Sequence, residues 1–330
     1  MVADHPVATS ASGERSGGLL SIIVPVKDEE EAIAGFVTRT GAVLDGVRDR
    51  DGAAMPWEIL FVDDGSTDGT LAAMRVACAG DARVRGLSLS RNFGKEAALS
   101  AGLDHVRGDA IIPIDVDLQD PPELIPEMVE RWRRGSDVVY GVRRNRQTDA
   151  FAKRLTADLY YRVHNWVSAD RIPEHAGDFR LLDRRVVDVI RAMPERNRFM
   201  KGLFAWAGFR QDAVYYDRRE RQVGHTKFNY WKLWTFALDG ITSTSTLPLR
   251  VWSYLGGVIA AVALLYAAYL VGRTLLYGTE VAGYPSLMVA VLFIGGMQLL
   301  SLGIQGEYVG RILVETKHRP IYIVREHLGE

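Results

Sequence analysis

The chain has 330 residues, with 40 Lys and Arg against 41 Asp and Glu, a net charge of -1 and 48% hydrophobic content. That suffices for one sizeable α/β domain plus an extra module, and the balanced charge gives no whole-chain reason to expect a nucleic-acid partner. A single cysteine, Cys78, excludes an internal disulfide framework and a cysteine-based zinc site, and it reads as a small core residue of a helix.

Residues 1–18, "MVADHPVATSASGERSGG", are small and polar and lack the apolar run of a signal peptide. They are read as a disordered arm, and the domain after them as cytosolic. "LLSIIVPV" (19–26) is a β-branched, nearly all-apolar run, as expected of a strand covered on both faces. Helix-compatible sequence follows over 29–47. "WEILFVDDGSTDGT" is a second strand ending in Asp63-Asp64, with a turn and then a helix from about residue 67. Residues 84–90 read as a third strand, "KEAALSAGLDHV" as a helix and "AIIPIDVD" (110–117) as a fourth strand. Strands and helices alternating in this way predict a doubly wound, mainly parallel sheet, in which ligands bind beyond the carboxyl ends of the strands. Every one of these strands ends in polar residues: Lys27-Asp28-Glu29, Asp63-Asp64, Arg91-Asn92, and Asp115 with Asp117. They are expected to line one cleft. "GKE" at 94–96 is no phosphate loop, because Leu89 stands where the earlier glycine is required.

"IIPIDVDLQDPPE" (111–123) concentrates acids at one strand end. In an extended segment residues two apart point the same way, so Asp115 and Asp117 share a face, with Val116 turned inward and Gln119 within reach. Two carboxylates and an amide oxygen suit Mg²⁺ or Mn²⁺, which commonly bind through few protein groups plus substrate phosphates. Asp120 followed by Pro121 and, three residues on, by Glu123 matches a capping box and is read as a helix start.

The C-terminal part changes character. Residues 251–272 and 284–306 are uncharged and long enough to cross a bilayer. Arg250 on one side, and Arg311, Lys317, His318 and Arg319 on the other, put both flanks on the cytoplasmic face and the short connecting loop outside. Before the first span, Phe228, Trp231, Trp234, Leu238 and Ile241 fall on one helical face, which suits an interfacial helix over 227–249.

"VPVKDEEE", "VDDGSTDGT", "LSRNFGKEAAL", "DVDLQDPPE", "GDFRLLDRRVV", "PERNRFMKGL", "GHTKFNYWKL" and "RILVETKHRPIYIV", in this order, resemble the family 2 glycosyltransferases that load a sugar onto polyprenyl phosphate, of the bactoprenol glucosyltransferase and dolichol-phosphate mannose synthase type. The resemblance runs from Leu19 to about Arg325. It implies a GT-A-like nucleotide-sugar-binding domain (19–226), interfacial helices (227–249), a two-helix transmembrane hairpin (250–310) and a cytosolic tail (311–330). It implies that Asp115, Asp117 and Gln119 hold the divalent cation against the donor diphosphate, with Asp117 counted as catalytic. Pro25, Glu29, Asp63 and Asp64 fall where the family cradles the nucleotide, and Lys95 where a cation approaches the base or phosphates. Lys27-Asp28 replaces the family's usual Tyr-Asn, so no aromatic stands there for a base.

Among the basic residues, Arg143, Arg221 and Lys227 match positions near the lipid phosphate. Arg144 and Arg146 lie beside Arg143, and Arg218 and Arg219 precede Arg221 near Gly224. A solvated basic face near anionic lipid is the alternative reading of Arg144, Arg218 and Arg219. Arg180 also matches, and Asp178 is the family's candidate catalytic or positioning carboxylate. The implied function is inverting transfer of a hexose, glucose from UDP-glucose, to polyprenyl phosphate at the cytoplasmic face of the inner membrane. Both termini would be cytoplasmic and the chain a homo-oligomer. GDP-mannose is the alternative donor, and an inactive membrane scaffold or sugar-nucleotide-binding subunit the alternative of another class. A processive synthase does not fit, since Met128 stands where its Q-x-x-R-W motif needs glutamine.

Overall fold

A computed structural model of the chain describes residues 18–49, 51–143, 176–196, 198, 200–216 and 283–329, with scattered positions between 252 and 277. Residues 143, 176–178 and 201, and several within 284–300, enter by backbone alone. The expected arm, the interfacial helix, and Arg144, Arg146, Arg218, Arg219, Arg221, Gly224 and Lys227 lie outside the described residues, as does most of the first expected span.

The first half of the chain alternates strand and helix as expected: β1 (Leu20–Val26), α1 (Ala32–Asp45), β2 (Trp57–Asp63), α2 (Thr70–Gly80), β3 (Val84–Leu89), α3 (Lys95–His105) and β4 (Ala110–Pro113). A 3₁₀ turn (Pro122–Leu124) leads into α4 (Ile125–Arg133), then β5 (Val138–Arg143), β6 (Ala176–Asp183), α5 (Arg184–Ala192), α6 (Met200–Trp206) and β7 (Gln211–Tyr216). A long helix, α7 (Tyr284–Thr316), and a last strand, β8 (Val324–Leu328), follow. The eight strands form one sheet in the order β7-β5-β6-β4-β1-β2-β3-β8. β1 is parallel to β2 and β4, β2 to β3, and β5 to β7; β3–β8, β4–β6 and β5–β6 are antiparallel. The expected α/β, mainly parallel sheet is therefore present. Strand order reverses at β1, which lies between β2 and β4, and such a switch point opens a crevice at the carboxyl edge.

Alternation along the strands builds two cores. Leu20, Ile22 and Val24 of β1 pack with Phe36 of α1, Met74 of α2 and Trp132 of α4 on one face. Ile23, Leu60 and Val62 face α3, α5 and α6 on the other, against Ala98, Leu103, Val187 and Phe204. α3 sits close because Gly102 has no side chain: a Cβ there would collide with Ile23 Cγ2.

At the amino edge of the strands a buried polar network ties the sheet together. Ser21 Oγ donates to Glu58 Oε1 (2.6 Å), the Arg107 amide to the same oxygen (2.8 Å), and Arg85 Nη1 to Glu58 Oε2 (3.2 Å). A buried charge needs such partners, and here Ser21, Arg85 and the Arg107 amide supply them.

Three local readings differ from the structure. The fourth strand stops at Pro113 rather than running to Asp117, because residues 116 and 117 turn and Leu118 takes a left-handed φ of 56°. Asp120 does not cap the helix: the 3₁₀ turn begins after Pro121, without a side-chain cap. The buried Asp120 carboxylate instead accepts the hydroxyl of Tyr216, and Glu123 takes a bidentate contact from Arg39.

By their contacts, Met1–Asn165, Asp170–Asn229 and Pro320–Glu330 make one unit, and Trp166–Ala169 with Tyr230–Arg319 a second. Within the second, α7 leaves Leu287, Val291, Phe293, Leu299 and Leu302 exposed. Counting described side chains alone, no helix is long and apolar enough to cross a membrane.

Candidate active site

Four loops leave the carboxyl ends of β1 to β4, and the structure knits them together. The loop after β1 is zipped to the loop after β2. The Asp28 amide donates to Ser66 Oγ (3.0 Å), Thr67 N–H to Asp28 Oδ1 (2.8 Å), the Glu29 amide to Thr70 Oγ1 (2.9 Å) and Gly69 N–H to Glu30 Oε2 (2.7 Å). Asp28 adopts φ 53° to make this turn, a left-handed state that short polar side chains tolerate. Lys27 Nζ reaches the Gly65 carbonyl at 3.3 Å.

The loop after β2 is bonded to the loop after β3. Asp64 is buried and accepts the amides of Phe93 (2.7 Å) and Gly94 (3.0 Å). Gly65 permits the approach: its φ is 65°, and a Cβ would stand 2.5 Å from the Arg91 carbonyl carbon. Burial pushes the Asp64 carboxyl above the ordinary carboxylate range, while the Phe93 and Gly94 amides and Lys27 pull it back.

Lys95, at the start of α3, joins the third loop to the fourth. Its Nζ lies 2.7 Å and 3.0 Å from the two oxygens of Asp115, and both side chains are about two-fifths exposed (41% and 43%). The four polar strand ends therefore meet at one edge of the sheet, through contacts the sequence does not spell out.

The expected site residues separate by depth. Asp115, Asp117, Gln119, Pro25 and Glu29 are partly exposed. Asp117 Oδ1 accepts the Gln119 amide at 3.2 Å, so these two are held by one turn. Asp63 is fully buried, with Ser66 N–H donating to one oxygen (2.8 Å) and Ser88 Oγ to the other (2.9 Å). Its place is beneath the loop, holding it from below. Arg180 lies on β6 opposite Tyr140, only 6% exposed, with its guanidinium 4.4 Å over the Phe204 ring. Arg143 ends β5 beside Tyr216, and Asp178 lies on β6. Their side chains, with Arg221 and Lys227, are outside those described.

Sequence reasoning missed three contributors: Ser66 and Ser88, which carry Asp63, and Tyr216, which carries Asp120. Ser66 stands in the quoted "DGST" turn and had a signal; Ser88 and Tyr216 meet Asp63 and Asp120 from distant points of the chain and had none.

As a donor set, Asp115, Asp117 and Gln119 fit a hard divalent cation. They offer oxygen ligands on a partly exposed turn, with room for substrate oxygens to complete the shell. Among the described residues no three His, Cys, Asp or Glu side chains converge into a metal cage.

Acids and a lysine on the carboxyl edge of a doubly wound, mainly parallel sheet make this edge the candidate ligand site, and the family models give its class as a GT-A-like glycosyltransferase. The glycosyl transferase family 2 model matches residues 21–191, and a GtrB C-terminal hairpin model matches 247–312. The chain belongs to glycosyltransferase family 2 and is a glycosyltransferase. It is 50% identical over 306 residues to a prophage bactoprenol glucosyl transferase homolog of Escherichia coli, covering 93% of this chain and 98% of that one. It is also 50% identical over 308 residues to a bactoprenol glucosyl transferase of Shigella phage SfV, with the same coverage. An uncharacterized glycosyltransferase of Synechocystis is 50% identical over 310 residues, 94% of this chain and 96% of its own.

Proposed function

We propose that this chain transfers glucose from UDP-glucose to polyprenyl phosphate with inversion at the anomeric carbon, giving a lipid-linked monosaccharide at the cytoplasmic face of the membrane. One observation carries the reading: near-full-length similarity, at 50% identity, to proteins named bactoprenol glucosyl transferases. The knitted acidic edge supplies a place for it.

The acceptor nucleophile is a phosphate oxygen. A phosphate monoester has a second pKa of about 6 and is mostly ionised at neutral pH, so no strong base is required. Asp178 is accordingly assigned to orient the acceptor, and Arg143, Arg221 and Lys227 to hold its phosphate, as guanidinium and ammonium groups do well. Arg180, its guanidinium over the Phe204 ring, is assigned to the same anionic acceptor. Pro25, Glu29 and Asp64 are assigned to the nucleotide, with Asp63 supporting them.

The main barrier is charge growing on the departing diphosphate. A Mg²⁺ or Mn²⁺ ion held by Asp115, Asp117 and Gln119 would supply Lewis-acid neutralisation of that charge. Lys95 brings an ammonium to the same carboxylate and can turn it toward the phosphates.

The hairpin match over residues 247–312 supports a pair of membrane spans. Cytoplasmic flanks, read from the Arg and Lys residues outside the pair, and association into homo-oligomers belong to the same proposal. Such a tether confines the site to the surface carrying the acceptor and raises its effective concentration. Donor screening with purified protein, polyprenyl phosphate and labelled sugar nucleotides tests the reading. The expected product is a lipid bearing one glucose, from UDP-glucose only. Transfer from GDP-mannose instead moves the assignment to the mannose reading. A polymer, or no lipid product from any donor, overturns the proposal.

A further inference from the structure

The edge strand β8 pairs antiparallel with β3, with Leu89 opposite Val324 and Ser88 opposite Glu326. One step along β3 meets two along β8, so Arg325 is the extra residue of a β-bulge. Bulges re-aim the side chain they carry. Here Arg325 Nη2 donates to Ser88 Oγ at 2.9 Å, and Ser88 Oγ donates to Asp63 Oδ2 at 2.9 Å. Ser88 and Asp63 are fully buried and face each other in the β2–β3 register. The other Asp63 oxygen holds the Ser66 amide, and Asp64 grips Phe93 and Gly94. A continuous line of hydrogen bonds thus runs from the sheet edge to the loop after β2.

The strand is seated without Arg325. Arg75 of α2 binds Glu326 with contacts of 3.0 and 2.8 Å, the Ser90 amide donates to the Ile323 carbonyl (2.9 Å), and the Tyr322 hydroxyl donates to Asp104 Oδ2 (2.7 Å). What Arg325 adds is positive charge delivered, through one hydroxyl, to a buried carboxylate. Buried carboxylates require both hydrogen bonds and compensating charge.

We propose that Arg325 is a positioning residue for donor binding. Through Ser88 it fixes the Asp63 carboxylate, and with it the turn at residues 64–66 that the nucleotide diphosphate sugar contacts. This rests on the reading of the Asp63–Asp64 turn as part of the donor site.

The test is steady-state transfer with UDP-glucose and polyprenyl phosphate by the full-length protein. Arg325→Ala raises the donor KM roughly three- to tenfold, the size of one such hydrogen bond, with kcat within about twofold. Ser88→Ala does the same, and the double variant is no worse than either single one, because both cut one line. Arg325→Lys recovers most of the loss. Arg75→Ala, which loosens the strand but leaves Arg325 in place, serves as the control and keeps the wild-type donor KM. An unchanged donor KM in Arg325→Ala, an equal rise in Arg75→Ala, or additive effects of the Arg325 and Ser88 changes overturns the proposal. Asp64→Asn separates the two layers. If it raises the donor KM and Arg325→Ala does not, the relay fails alone; if it leaves the donor KM unchanged, the donor-site reading fails and takes the relay with it.

Discussion

Asp64 shows how burial and bonding oppose each other within one side chain. Its carboxyl is raised first by desolvation and only partly lowered by the Phe93 and Gly94 amides. A folded-state pKa above the unfolded one means the folded protein holds the proton more tightly. The contribution of this group to stability is therefore full below the unfolded value of about 4, and is lost as pH rises through the raised value. Asp64→Asn removes that slope. The stability of the variant relative to wild type is expected to climb across the acidic range, as read from denaturant titrations at several pH values, and a difference independent of pH contradicts the assignment. Lys95 is the opposite case, because its pair with Asp115 is half open to water and worth at most about 1 kcal/mol. Lys95→Ala should leave the melting temperature nearly unchanged while lowering transfer by about tenfold or more. Wild-type turnover in that variant removes Lys95 from the diphosphate site. At this scale the sequence singled out Asp115, Asp117 and Gln119 by a strand-like spacing. The strand ends at Pro113 and residues 116–117 turn, so extended alternation is not what relates the two acids. Asp120 was misassigned. "DPPE" reads as a cap because a capping pattern is local, whereas Tyr216 approaches Asp120 from 96 residues away.

Elements were legible where a strand is apolar along its whole length. β1 and β2 are fully or nearly fully buried runs, and their ends follow from the first polar residues. β4 is shorter than its pattern, because the apolar residues Ile114 and Val116 continue the core after the ladder has ended. β8 was not legible as a strand at all: "VREHL" carries three ionisable side chains, and only pairing on the edge of β3 makes it one. Packing between elements leads to two contrasting expectations. Gly102→Ala gains helix propensity but drives a methyl into Ile23, and overpacking of this kind costs about 1–3 kcal/mol. A variant as stable as wild type in urea would show that α3 can shift away from β1. Glu58→Ala breaks the buried pair with Arg85 at the amino edge, at a cost of about 3–5 kcal/mol. Because that edge is opposite the loops, the variant's donor KM should match wild type while the protein remains folded. A raised KM would tie the amino edge to the site.

For the molecule as a whole, a sugar-nucleotide domain and an apolar C-terminal region were separable by composition alone, since charge disappears over 251–272 and 284–306. What composition could not give is that the chain after α7 returns to the catalytic sheet, because edge pairing of β8 depends on tertiary register. If the hairpin match reflects two spans, the chain stays in the membrane pellet through an alkaline carbonate wash; release into the supernatant contradicts the tether. The central claim, single-sugar transfer to polyprenyl phosphate at the Asp115–Asp117 turn, is tested most directly by one comparison. Labelled UDP-glucose and polyprenyl phosphate are given to wild-type protein and to Asp117→Ala, and the lipid-linked product is counted. The account predicts a monoglucosylated lipid from the wild type and essentially none from a folded Asp117→Ala; equal product from both would contradict it.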